Sequence, residues 1–268
     1  YKRQGIPFPV RDKGLTKLMK LSRRILSATL AGSLALSLAA CGETEDADTR
    51  SLDGEPIAAI EAPEGQSWTD VVTVTEADGY LIGNPDAPLK LIEYASHTCG
   101  GCAYFSENGA PPLKENYVST GVVSLELRNL VRDPIDLTIA SLVRCGQPEN
   151  MEPLSSQAWS ALNDIFANVN QNGAAFEAAS SLPEDQRFVA IAEAAGLIDF
   201  FGARGLSADQ ARTCLADADA VQAIATRSQD QVNELGLTGT PTFILNGQKL
   251  NVNQWEGLEP ILQRAGAR

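Results

Sequence analysis

The feature that most constrains this chain is a cysteine pair, Cys99-Gly100-Gly101-Cys102, placed just after a nearly unbroken apolar run. Leu89-Lys90-Leu91-Ile92-Glu93-Tyr94 has the composition of a central strand buried on both faces. After a short loop, Ser96-His97-Thr98, the pair opens a run that reads as helix to about Val118. A helix N-terminus carries unpaired backbone N–H groups and the positive end of the macrodipole. A cysteine there is biased toward the thiolate, the nucleophile of disulfide exchange. Cys99 takes that place. Cys102 lies one turn further in, where it can attack a mixed disulfide on Cys99, and the two glycines leave the backbone open at some cost in helix propensity.

The surroundings predict an α/β chain. Val71 to Thr75 and Tyr80 to Ile82 read as short strands, and Val122 to Leu130 as a longer one after the helix. Residues 134–235 show no strand pattern; Ala, Leu, Gln and Glu recur at helical spacing, as at Ile191, Ala194, Ala195 and Ile198. A loop at 236–241 leads to the strand 242–245, the hairpin signal Asn246-Gly247, a return strand at 248–250 and a closing helix over 252–265. The expected segments are therefore 68–133 and 236–268, two parts of one sheet domain, with a helical insertion at 134–235 between them.

Five cysteines are present. Setting Cys41 aside, Cys99, Cys102, Cys145 and Cys214 allow three pairings. The simplest joins Cys99 to Cys102 and Cys145 to Cys214, the second a structural disulfide within the helical block. Glu93 lies in an otherwise apolar strand, where a carboxylate is costly unless it is paired or works. It reads as a buried proton acceptor for Cys102, or as a strand-end residue near solvent. His97 is the single histidine. A metal reading is thus limited to a three-ligand copper or zinc site of His97, Cys99 and Cys102, since nothing completes a tetrahedral zinc set. We expect neither metal nor cofactor, the cysteines themselves being the redox centre.

The N-terminal part reads as an address. From Met19, the expected start, Lys20, Arg23 and Arg24 precede an apolar stretch over 25–38 that is too short to span a bilayer, the layout of a secretory signal peptide. Leu38-Ala39-Ala40-Cys41 resembles a bacterial lipobox, which implies lipidation at Cys41 and a mature protein beginning there. Residues 1–40 form this leader, and 41–67, acidic and without apolar period, are expected to be a tether reaching roughly 30 Å. The chain is expected in the bacterial cell envelope, facing the periplasm and lipid-anchored, with the outer membrane favoured by Gly42. Eight of the 21 basic residues but only one of the 34 acidic ones lie in residues 1–40, which leaves the remainder with net charge −20. So acidic a surface repels phosphate backbones and argues against nucleic-acid binding.

Taken together, Gly83-Asn84-Pro85-Asp86-Ala87-Pro88, Glu93-Tyr94, the Cys99–Cys102 motif followed by Phe105, and Gly239-Thr240-Pro241-Thr242-Phe243 with Asn246-Gly247 resemble the DsbA-like branch of the thioredoxin fold. The likeness spans about residues 70–268 and is in particular to alphaproteobacterial members, which can carry a second disulfide in the helical domain. It implies a cis peptide at Pro241 facing the cysteine pair. It also implies a loop at Gly239 and Thr240 that offers backbone groups to an extended substrate; His97, outside the family's motif, is expected as a further substrate contact. The activity implied is disulfide exchange with exported proteins, as an oxidase, by a monomer recycled by a membrane redox partner; a reductase or isomerase is the alternative. Strongly oxidising members have a histidine between the two cysteines. Here both positions are glycine, so a less extreme thiolate is expected, with His97 either approaching Cys99 from outside the motif or lying exposed in its loop.

Overall fold

The computed structural model describes residues 52–268. The expected signal peptide and the expected lipidation site Cys41 lie outside the described residues. Six strands form one mixed sheet: β1 (Val72–Val74), β2 (Tyr80–Ile82), β3 (Leu89–Ala95), β4 (Val123–Asn129), β5 (Thr242–Leu245) and β6 (Gln248–Lys249), in the spatial order β1-β2-β4-β3-β5-β6. β3 runs parallel to β4 and antiparallel to β5, so it lies inside the sheet with both edges paired. The helices are α1 (Gly100–Asn108), α2 (Ala110–Leu113), α3 (Pro134–Val143), α4 (Met151–Ser160), α5 (Leu162–Gln171), α6 (Gly173–Ser180), α7 (Glu184–Ala194), α8 (Leu197–Gly202), α9 (Ala208–Ala216), α10 (Ala218–Leu235) and α11 (Trp255–Arg264). Eight of them, α3 to α10, are inserted between β4 and β5. This is the thioredoxin-like α/β plan with a helical insertion.

Strand alternation sorts β3 into two faces. Leu89 and Leu91 join the core built with Phe105 of α1, Leu113 of α2 and Leu258 and Leu262 of α11. Ile92 and Tyr94 pack on the other face with Leu130, Leu237 and Val232 of α10. Glu93 shares the face of Leu89 and Leu91, which turns it toward α1. Phe105 and Phe243 meet edge to face at 4.7 Å, both essentially without exposure. Each such aromatic burial contributes about 1.5–3 kcal/mol, and together they fix α1 over the middle of the sheet.

The long helix expected to Val118 is in three pieces. Pro111 and Pro112 remove two backbone donors, so α1 ends at Gly109, α2 is a single turn, and Lys114–Val118 winds as a π-helical turn. Gly109 cannot carry a side chain, because a Cβ there would fall 2.4 Å from the Phe105 ring. The hairpin Asn246-Gly247 has both residues at positive φ, 48° and 84°. The Asn246 side chain also pins the start of β3, accepting from Lys90 N–H at 2.8 Å and donating to Pro88 O at 3.1 Å.

The expected tether does not extend to Ser67. Leu52 is buried in the core under α11. Gly54 N–H donates to Arg264 O at 2.8 Å, Ile57 N–H to Gly266 O at 2.9 Å, and Ile60 N–H to Thr120 O at 2.8 Å. Trp68 Nε1–H closes the strap by donating to Ile60 O at 2.8 Å. The segment has no apolar period because backbone groups, more than side chains, hold it. Among the described residues no helix is long and apolar enough to cross a membrane.

Cys145 and Cys214 are joined as a disulfide, linking the turn after α3 to α9 across a separation of 69 residues. Cys99 and Cys102 are free thiols.

Candidate active site

Cys99 is the N-cap of α1, with extended backbone (φ −99°, ψ 118°), and its sulfur accepts the Cys102 N–H at 3.4 Å. Because an N-cap side chain faces the unpaired amides of the first helical turn, a sulfur there is solvated by the backbone. As a thiol, Cys99 donates to Thr240 O at 3.2 Å. Its pKa is lowered from 9.0 to about 5. The Cys102 thiol, donating to the sulfur, is the largest cause; burial opposes it, and the Thr240 hydroxyl and the Cys102 and Gly101 amides add to it. The Thr240 hydroxyl is buried and makes no hydrogen bond in the resting site, so it is available to turn toward the thiolate. The Gly-Gly spacer thus does not prevent a strong thiolate, since the donors come from Cys102, Thr240 and the helix itself.

Cys102 has no exposed surface, whereas Cys99 keeps 6%. Burial first, then its hydrogen bond to Cys99 and the nearby charges of Glu93 and Cys99, push the Cys102 thiol far up. Two sulfurs three residues apart are therefore driven in opposite directions, one to thiolate and one to thiol. Glu93 lies buried on the α1 face of β3, and its Oε1 has no hydrogen-bond partner. Desolvation, with smaller repulsion from Cys99 and Glu152, raises its carboxyl from 4.5 to about 8. It is not a strand-end residue near solvent. It holds a proton at neutral pH and can exchange it with a sulfur that ionises above it.

The Thr240-Pro241 peptide is cis. Pro241 sits against the cysteine motif: a Cβ at Gly101 would meet Pro241 Cδ at 3.2 Å and Cys99 Sγ at 3.6 Å, while one at Gly100 would meet nothing within 4 Å. Of the two glycines, only Gly101 answers to a packing demand. Beside this loop runs a groove of about 420 Å³, lined by Thr238, Thr240, Pro241, Lys249, Asn251 and Asn253. Gly239 is exposed on its rim.

A family model described as Thioredoxin matches residues 75–264. The chain belongs to the thioredoxin family. Among solved structures, this thioredoxin-family chain is similar to a protein-disulfide isomerase from Novosphingobium aromaticivorans, at 30% identity and a TM-score of 0.65, over 69% of this chain and 96% of that one. Wolbachia pipientis alpha-DsbA1 matches at 22% identity and a TM-score of 0.56, over 72% and 94% of the two chains, a likeness of fold. A relative in Rickettsia bellii, whose name assigns it a protein-disulfide oxidoreductase activity provisionally, is 23% identical over 69% of this chain. The chain spans 63% of that relative's length.

The thioredoxin scaffold brings Cys99, Cys102, Glu93, Thr240 and Pro241 to one place. It does not bring His97 there as a substrate contact. His97 has no exposed surface, so it neither touches a substrate nor lies exposed in its loop. Its ring is turned into the helical insertion, with Nε2 3.0 Å from Ser155 Oγ and the ring stacked on Trp159. The three-ligand metal site is not assembled either. Among the described residues no group of three or more His, Cys, Asp or Glu side chains is placed to hold a metal ion. Sequence reasoning missed Glu152 and Ser155, both on α4; only contacts across more than fifty residues reveal them.

Proposed function

We propose that this protein is a DsbA-like thiol–disulfide oxidoreductase of the bacterial cell envelope, acting as an oxidase of exported proteins. The observation that carries this reading is the opposed pair of sulfurs. Cys99, N-capping α1 and accepting from Cys102, is lowered to about 5, while Cys102 is buried as a thiol above Glu93. A stabilised Cys99 thiolate favours the reduced form, which makes the disulfide form oxidising.

In the oxidised enzyme, a substrate thiolate attacks Cys99 Sγ. The Cys99–Cys102 bond breaks, and the departing Cys102 sulfur takes the proton held by Glu93. The substrate is now joined to Cys99 as a mixed disulfide, with its chain beside Thr240 in the groove. A second substrate thiolate attacks the substrate sulfur of that bond, and Cys99 leaves as a thiolate. Two electrons have passed from substrate to enzyme and one substrate disulfide has formed. Glu93 regains a proton from solvent, and a membrane redox partner removes the electrons to restore the pair. Monomeric action and lipid anchoring at Cys41 belong to the same reading, the latter supported by the lipobox.

Equilibrating the protein in glutathione buffers, with acid trapping and mass mapping of the cysteines, tests it. A potential of about −120 to −180 mV for Cys99–Cys102 is expected of an oxidase; about −230 mV or below would make it a reductase. A pair that never forms a disulfide would refute the assignment.

A further inference from the structure

Beside the Cys99 sulfur the first turn of α1 presents bare backbone. Gly100 and Gly101 are both exposed. A Cβ at Gly101 would lie 3.6 Å from Cys99 Sγ, and one at Gly100 would meet nothing within 4 Å. Glycine is a poor helix former, and no neighbour requires it at Gly100. The pair forms a ledge next to the sulfur. One turn further along, Tyr104 is 44% exposed, a large fraction for an aromatic side chain. Residues three and four apart on a helix have Cβ atoms about 5–6 Å from each other, so Tyr104 neighbours both glycines. The Cα–Cβ bond of a helical residue also leans toward the helix N-terminus, here toward the ledge. The Tyr104 hydroxyl donates to Glu256 Oε1 of α11 at 3.5 Å, which steadies the ring without burying it.

The groove beside the Pro241 loop offers no comparable surface. Its second wall, Lys249 to Asn253, keeps the alternation of a strand beyond the end of β6. Lys249, Asn251 and Asn253 are exposed, whereas Leu250 is buried in the core under α11 and Val252 packs on that core. The groove is therefore walled by hydroxyl, amide and ammonium groups, which suit a polar chain. Next to the cysteine pair, the apolar contact open to a substrate is the Tyr104 ring with the glycine ledge in front of it.

A substrate joined to Cys99 as a mixed disulfide points its own cysteine side chain at that sulfur. In an extended chain, side chains two residues apart point the same way and stand about 6.5–7 Å from each other. That step carries the second residue from the substrate cysteine over the ledge and against Tyr104. We propose that Gly100, Gly101 and Tyr104 form a specificity slot, in which an aromatic side chain two residues from the reactive cysteine of the substrate lies on the bare turn of α1 against the Tyr104 ring. The inference rests on the exchange role of Cys99 proposed above and names the substrate class: extended segments that are polar around the cysteine except for one aromatic residue. Aromatic pairing rewards such a neighbour beyond the apolar area it buries.

The test offers the full chain, oxidised at Cys99–Cys102, to unstructured peptides with two cysteines and Trp, Leu or Ser two residues from one of them, on its N-terminal or C-terminal side. Single-turnover oxidation is followed by acid trapping. In one of the two placements the rate constant is expected to be about 3- to 10-fold higher for the Trp peptide than for the Ser peptide, with the Leu peptide between them. Tyr104→Ser, a change at the surface, should abolish the difference, and Tyr104→Phe should keep it. Gly100→Leu, which fills the ledge from open space, should abolish it with Tyr104 intact. Equal rates for the three peptides, a Leu peptide as fast as the Trp peptide, or a preference that survives either Tyr104→Ser or Gly100→Leu would overturn the slot. A wild-type pair that oxidises neither the peptides nor glutathione refutes the parent reading; one that oxidises all the peptides alike refutes only this one.

Discussion

Raising the pH through the Cys99 titration should bend the pH dependence of the reduction potential. Reduction of the disulfide adds two electrons. Below the Cys99 midpoint two protons follow them; above it Cys99 stays a thiolate, and only Cys102 takes a proton. In a two-electron couple each proton contributes about 30 mV per pH unit, so the slope should change from about −59 to about −30 mV per pH unit. The break is expected near pH 5, the value to which Cys99 is lowered. Because Cys99 is depressed in the folded reduced state, its stabilisation is present at high pH and is lost as pH falls through 5. At pH 7 the thiolate is favoured over an unionised thiol by about two pH units, which is about 2.7 kcal/mol. That makes the pair about 60 mV more oxidising than one whose nucleophile keeps its proton. Equilibration with redox buffers of known potential between pH 3.5 and 7.5, followed by acid trapping, gives the slope. Thiolate absorbance near 240 nm gives the midpoint independently. A single slope of about −59 mV per pH unit through pH 7 would mean that the helix N-terminus, Cys102 and Thr240 do not hold a thiolate at Cys99, and the site argument would fail.

Glu93 is raised to about 8, so the native state binds a proton that the unfolded chain releases above 4.5; stability should fall as pH rises between these values, by about 3 kcal/mol at pH 7. Glu93→Gln should therefore melt higher than wild type at pH 7 and equally near pH 4, and it should resolve mixed disulfides more slowly; an equal difference at both pH values would contradict this. Gly101→Ala presses on Pro241 and should cost about 1–3 kcal/mol, whereas Gly100→Ala, in open space, should be neutral or stabilising by up to about 1 kcal/mol in urea melts. Replacing Cys145 and Cys214 by serine opens a 69-residue separation and should cost about 4 kcal/mol by chain entropy, read from the urea midpoint, with the Cys99–Cys102 disulfide still able to form.

Much of the fold was legible because it rests on local patterns. The apolar run of β3, the Asn246-Gly247 hairpin and the helical periodicity after Pro134 each reflect a rule acting within a few residues, and each element appears where the pattern puts it. The break at Pro111-Pro112 was legible too, in the two missing donors, but the helical reading through Val118 passed over it. The Cys145–Cys214 bond was one of three pairings by count. Folding brings the turn after α3 to α9 and selects it.

The sequence by itself determined the cysteine pair at a strand-to-helix junction, the buried carboxylate six residues before it and the Thr240-Pro241 loop. These follow from residue type and short spacing, which set the helix N-terminus and the strand face. Only the tertiary structure decided what those groups experience. The Cys99 thiolate draws on the Thr240 hydroxyl, 141 residues away in the chain. His97 is turned inward against Ser155 and Trp159, and residues 54–57 are strapped to the C-terminal end by backbone bonds that no side-chain pattern announces. Protonation and burial depend on desolvation and on partners brought together across the whole chain, and a one-dimensional pattern carries neither.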